Sequence, residues 1–102
     1  MSIKERLSGI YTNEETARVH ITESSNGISV VVDVHGMKCG QAKRFINNLI
    51  NIARCPFLLT IIHGYNHGTA ILEMVRTELR NQHISCMFLD SHNQGVTYLS
   101  IA

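Results

Sequence analysis

No stretch of the chain approaches the roughly 18–20 consecutive apolar residues of a membrane span, and the opening MSIKERLSGIY lacks the apolar core of a signal peptide. These absences predict a cytoplasmic protein with no membrane partner. Cysteine is scarce: Cys39, Cys55 and Cys86 are an odd number without paired CxxC spacing. That count argues against a disulfide framework and a zinc finger, and for reduced thiols. Charge is sparse too. Charged residues make up 17% of the chain, apolar residues 44%, and the net charge is +1. That balance excludes disorder. There is no internal repeat and no low-complexity segment. What remains, over 102 residues, is one ordinary globular domain with room for a real core.

The small net charge hides an asymmetry. Residues 1–23 and 71–102 are each one unit negative. Residues 24–70 carry Lys38, Lys43, Arg44 and Arg54 against Asp33 alone, three units positive. A local excess of this size suits phosphate binding, and solvated helix faces produce it as well.

Residues 1–16 are polar and weakly patterned and read as an amino-terminal arm or loose helical turn, with the domain proper spanning 17–102. Arg18 to Thr22 alternates polar and apolar residues as a half-buried strand does. Ser24-Ser25-Asn26-Gly27 follows, and Asn-Gly is a strong hairpin signal. Ile28 to Val34 (ISVVVDV) reads as a strand buried on both faces. From Lys38 to Arg54 the apolar residues Ala42, Phe45, Ile46, Leu49, Ile50 and Ala53 follow helical spacing, and Pro56 ends that helix. Phe57 to Ile62 (FLLTII) is a buried strand. A second helix is expected from Gly68 to about Asn81, on Ile71, Leu72, Val75 and Leu79. Ile84 to Leu89 is an apolar strand with Cys86 in the core, Ser91 to Gly95 a turn, and Val96 to Ile101 a final strand. The fold class is α/β, order β-β-α-β-α-β-β: two helices over a mixed sheet, with an antiparallel strand at each edge.

This order has a chemical consequence. Asp33-Val34-His35-Gly36 ends one strand and His63-Gly64-Tyr65-Asn66-His67-Gly68 leaves the next. If the two strands run parallel, both ends lie at the carboxyl edge of the sheet, where open α/β sheets bind ligands. Backbone amides from Gly64 through Thr69 to Ala70 would then cradle an anion at a helix amino terminus. Each residue also has a plainer reading. Asp33 can satisfy loop backbone, His63 can cap its strand, and His67 can be a surface residue that touches ligand without chemistry. Tyr65 is a platform for a stacked base or an exposed loop aromatic. Lys38, Lys43 and Arg44 are phosphate contacts or a solvated face. A divalent metal held by Asp33, His35, His63 and His67 is conceivable, but the spacings match no standard ligand motif. No metal site or cofactor is assigned.

Taken together, these motifs resemble the small MutS-related (Smr) domain. The chain has a strand ending in hydrophobic-Asp-hydrophobic-His-Gly, an Ala-containing helix, and a strand ending in His-Gly before a glycine-rich turn into a helix. The closing Gly95-Val96-Thr97 looks like that family's GVT. The resemblance covers nearly all of residues 28–101. It implies a two-layer sandwich similar to the carboxy-terminal domain of bacterial translation initiation factor 3, nucleic-acid binding, and in several members endonuclease activity on DNA or RNA. The family's Asp-x-His-Gly motif falls on Asp33, His35 and Gly36, and its His-Gly-x-Gly loop on His63, Gly64 and Gly68. Where the family usually has His-Gly-Lys-Gly, this chain has Tyr65 and Asn66 in place of the lysine and second glycine.

The functional expectation is an endonuclease hydrolysing phosphodiester bonds in DNA or RNA. His35 or His63 would act as general base or acid and Asp33 would orient an imidazole. Gly36, Lys38 and the loop from Gly64 to Thr69 would hold phosphate. The alternative is a non-catalytic module for structured RNA or branched DNA, with ribosomes among its partners. A third class, a small-molecule phosphate or metal-dependent hydrolase, would need a deep pocket beside the loop.

Overall fold

A computed structural model describes residues 5–6, 9, 11–65 and 68–102. The described residues form a mixed α/β structure, with a five-stranded mixed sheet and α-helices. The elements are α1 (Asn13–Ala17), β1 (Val19–Ser24), β2 (Gly27–Asp33), α2 (Cys39–Ala53), β3 (Phe57–Ile62), α3 (Ala70–Glu73), β4 (Ile84–Leu89) and β5 (Val96–Ile101). Among the first sixteen residues, Thr12 and Glu15 form a reciprocal capping box that starts α1. Just before it, Tyr11 is buried: its ring stacks on Phe45 with centroids 4.6 Å apart, and its hydroxyl donates to the Phe45 carbonyl at 2.8 Å. This part of the segment packs on the core.

The sheet order is β1-β2-β3-β5-β4. Ser24 pairs with Gly27 across a two-residue Ser25-Asn26 turn, one residue before the expected Asn-Gly position, so β1 and β2 form an antiparallel hairpin. The β2–α2–β3 crossover makes β2 and β3 parallel, with Asp33 opposite Ile62. β5 inserts between β3 and β4 and runs antiparallel to both.

One sheet face carries the core. Val30 and Val32 of β2, Leu59 and Ile61 of β3, and Leu99 of β5 are fully buried, and they meet Ala42, Phe45, Ile46, Leu49, Ile50 and Ala53 of α2. That α2 face follows from the 3.6-residue period. The opposite sheet face is partly open, which corrects the expectation that β2 is buried on both faces. Ser29, Val31 and Asp33 are half-buried, and Leu58 and Phe88 are 43% and 50% exposed. Cys86, expected in the core, is likewise exposed: β4 is an edge strand, and Cys86 pairs with Ser100 on this outer face.

The second helix is shorter than its apolar spacing predicts. It is α-helical only over Ala70–Glu73, then widens into a π-turn over Met74–Glu78, closed by the Leu79 amide donating to the Met74 carbonyl at 2.8 Å. Leu79, which follows the wider turn, is buried in the core with Ile71, Met74 and Val75. Thr77 bonds back to the Glu73 carbonyl at 2.6 Å within the same turn. No helix of the described residues is long and apolar enough to cross a membrane.

Candidate functional site

The parallel pairing of β2 and β3 brings their carboxyl ends together. Val34 donates to the Ile62 carbonyl at 2.9 Å, one step beyond the last ladder pair. His35 and Gly64 then lie side by side: a Cβ added at Gly64 would meet the His35 Cβ at 3.6 Å. Gly36 (φ 79°) and Gly64 (φ 71°) occupy the left-handed region, which lets both strands turn away sharply.

Asp33 and His35 form a pair. One Asp33 carboxylate oxygen, Oδ1, meets His35 Nδ1 and also accepts the His35 backbone N–H at 3.1 Å. The aspartate therefore fixes both the ring tautomer and its orientation, leaving Nε2 as the working nitrogen. Among the described residues no group bonds Nε2, and the His35 side chain is 66% exposed against 34% for Asp33. Behind the pair, Arg18 donates to the carbonyls of Asp33 at 3.1 Å and His35 at 3.3 Å. It grips the backbone on both sides of Val34. Arg18 was not singled out from the sequence. An Asn26-Gly27 loop would set it opposite His35, whereas the observed Ser25-Asn26 loop sets it beside Asp33, whose amide donates to the Arg18 carbonyl at 2.9 Å.

His63 occupies a different environment. It is 5% exposed and both ring nitrogens are engaged: Nδ1 with the Gly64 carbonyl at 2.9 Å, Nε2 with Thr97 Oγ1 at 2.8 Å. A carbonyl only accepts, so Nδ1 carries the hydrogen. Thr97 Oγ1, itself fully buried, accepts from Arg76 Nε at 3.2 Å and so has its own hydrogen free for Nε2. The ring is therefore neutral. Burial holds its pKa below the ordinary histidine value, and the Arg76 charge acts the same way against the opposing bond to Gly64. The π-turn places Arg76 here, where its Nη2 also reaches the Gln94 carbonyl at 3.5 Å. Arg76 was not identified from the sequence; Thr97 entered only as part of the Gly95-Val96-Thr97 motif.

The turn between β4 and β5 braces the same edge. Asp90 accepts the amides of His92 and Asn93, and Asn93 accepts that of Gly95. The Gly95 carbonyl in turn accepts the amides of His63 at 2.9 Å and Gly64 at 3.1 Å. A Cβ at Gly95 would stand 3.3 Å from the Gly64 Cα and 3.5 Å from Tyr65 Cδ1, so glycine permits this close approach.

Two helix amino termini face the edge, and they differ. Cys39 Sγ lies 3.6 Å from the Ala70 carbonyl, which ties the start of α2 to that of α3. The first turn of α2 contains no acidic residue, its N-cap Lys38 makes no side-chain cap, and Lys38, Gly40, Gln41 and Arg44 line a surface depression there. The first turn of α3 contains Glu73, which accepts from Thr69 Oγ1 at 3.2 Å. A carboxylate thus already sits at the α3 terminus, the place the sequence suggested for phosphate. Gly68 (φ 122°) precedes that helix, whereas Asn66 and His67 lie outside the described residues. Between the two loops runs a cleft of about 440 Å³, lined by His35, Gly36, Met37, Ile62, His63, Gly64, Tyr65, Gly68, Ala70 and Ile71. Among the described residues no group of three or more His, Cys, Asp or Glu side chains is placed to hold a metal ion.

In comparison with known proteins, no family model matches the chain and no curated protein matches it.

Proposed function

We propose that this protein binds nucleic acid at the carboxyl edge of its sheet and hydrolyses a phosphodiester bond there. The observation that carries the proposal is the Asp33–His35 pair: a carboxylate holds one imidazole nitrogen and leaves the other exposed at the rim. In this reading His35 Nε2 accepts the proton of the attacking hydroxyl, from water or a ribose 2′-OH, as its oxygen bonds to phosphorus. The bond to the leaving oxygen breaks, and the imidazolium returns the proton to that oxygen. Asp33 stabilises the imidazolium. Phosphate sits at the amino terminus of α2, where unpaired amides, Lys38 and Arg44 favour an anion.

His63 has a positioning role in this scheme, because its nitrogens are already committed to Gly64 and Thr97. The fold belongs to the same reading: a two-layer sandwich similar to the Smr domain and to the carboxy-terminal domain of translation initiation factor 3. The core lying between one sheet face and the helices supports it. The test is cleavage of nicked and hairpin forms of DNA and RNA by wild type and His35→Ala, with and without divalent metal. Cleavage by wild type that falls about 10²–10⁴-fold in the variant is the expected outcome. Salt-sensitive binding without turnover would instead make the protein a binding module.

A further inference from the structure

We infer that the cleft beside Tyr65 receives an unpaired nucleobase, so that the site selects single-stranded or looped nucleic acid over continuous duplex. This inference rests on the nucleic-acid reading above and names the substrate feature the site recognises. The cleft, at about 440 Å³, has the size of a small-molecule site. Its described lining includes the apolar side chains of Met37, Ile62 and Ile71, and no lysine, arginine or carboxylate. Among these described residues a phosphate would find no lysine or arginine to offset its lost water. The cations instead stand outside, at the start of α2. Backbone outside and base inside is the arrangement these two surfaces suit.

Tyr65 supplies the face on which a base would lie. It is 45% exposed, and its ring is set against Gly95, where a Cβ would approach Cδ1 to 3.5 Å. Met37, which also lines the cleft, has a polarisable thioether. Stacking on an aromatic tolerates any base, because every base has a π-face. In duplex both faces of each base are already covered, and entry requires extrusion from the stack. An already unpaired base enters without that cost. His35 lines the same cleft, so a captured base would bring its own phosphate to the Asp33–His35 pair.

The experiment is fluorescence anisotropy with short labelled oligonucleotides, each made as DNA and as RNA. The forms are an ordinary single strand, the same strand with abasic positions, and the duplex. Wild type is expected to bind the ordinary single strand about tenfold more tightly than the abasic strand or the duplex, the loss typical of one stacked base. Tyr65→Ala is expected to bring the ordinary strand down to the abasic level and leave abasic binding unchanged, with Tyr65→Phe retaining wild-type affinity. Equal affinity for all three forms, or an equal loss on every form in Tyr65→Ala, overturns this inference and leaves the nucleic-acid reading standing. Failure to bind any oligonucleotide overturns both.

Discussion

His35 and His63 end neighbouring strands and carry the same side chain under opposite conditions. His35 is exposed, held at one nitrogen, and available at the other; His63 is buried, neutral, and bonded at both. The difference has a measurable sign. Because the folded pKa of His63 lies below the unfolded value, the unfolded chain takes up the proton first as pH falls. His63 therefore contributes its full stability above the ordinary histidine range and loses it progressively on acidification. Melting temperature is expected to fall from pH 7 to pH 5, and His63→Gln should flatten that part of the profile. A wild-type curve that rises on acidification would contradict the buried neutral ring. Thr97→Val tests the other end of the network. It keeps the shape but leaves His63 Nε2 and Arg76 Nε without the shared hydroxyl, at a cost of about 1–3 kcal/mol by denaturant unfolding. Asp33 and His35 were legible in the sequence because they stand two apart on one strand beside a glycine. The burial of His63 was not, since Thr97 and Arg76 are distant in sequence and meet it only through β5 and the π-turn.

The elements were legible where one period runs unbroken. α2 shows six buried residues at helical spacing, and the hairpin announces itself through Asn26-Gly27. The helix after the glycine loop misled, because Ile71, Val75 and Leu79 keep α-helical spacing while the hydrogen bonds change to a π-turn over Met74–Glu78, which apolar spacing does not signal. Leu79, at the end of that turn, is buried. Leu79→Ala should therefore cost about 2–5 kcal/mol in urea unfolding, as a core leucine does. A change within about 0.5 kcal/mol would mark it as a surface residue. The start of α2 makes a prediction of another kind. Lys38→Glu combined with Arg44→Glu should weaken nucleic-acid binding and reduce the slope of log affinity against log salt. Each lost phosphate contact lowers that slope by about 0.7–0.9. An unchanged slope would place the phosphate elsewhere.

At the scale of the whole molecule, the sheet order gathers the site. Placing β5 between β3 and β4 brings the Asp90–Gly95 turn onto the His63-Gly64 loop, and parallel pairing brings His35 against Gly64. Sequence patterns carried the convergence of the two motifs, since a strand–helix–strand unit implies parallel neighbours. They did not carry the open outer face with Leu58 and Phe88, because β4 reads as apolar whether it lies inside a sheet or at its edge. The fold thus supplies three things at one edge: an oriented imidazole, a helix terminus with Lys38 and Arg44, and a cleft lined in part by Met37, Ile62 and Ile71. The most direct measurement of what they do together is cleavage of a labelled hairpin RNA and its DNA counterpart by wild type and His35→Ala at matched folding. The account predicts cleavage by wild type that drops about 10²–10⁴-fold in the variant while its melting temperature stays unchanged. Identical rates for the two proteins would contradict it.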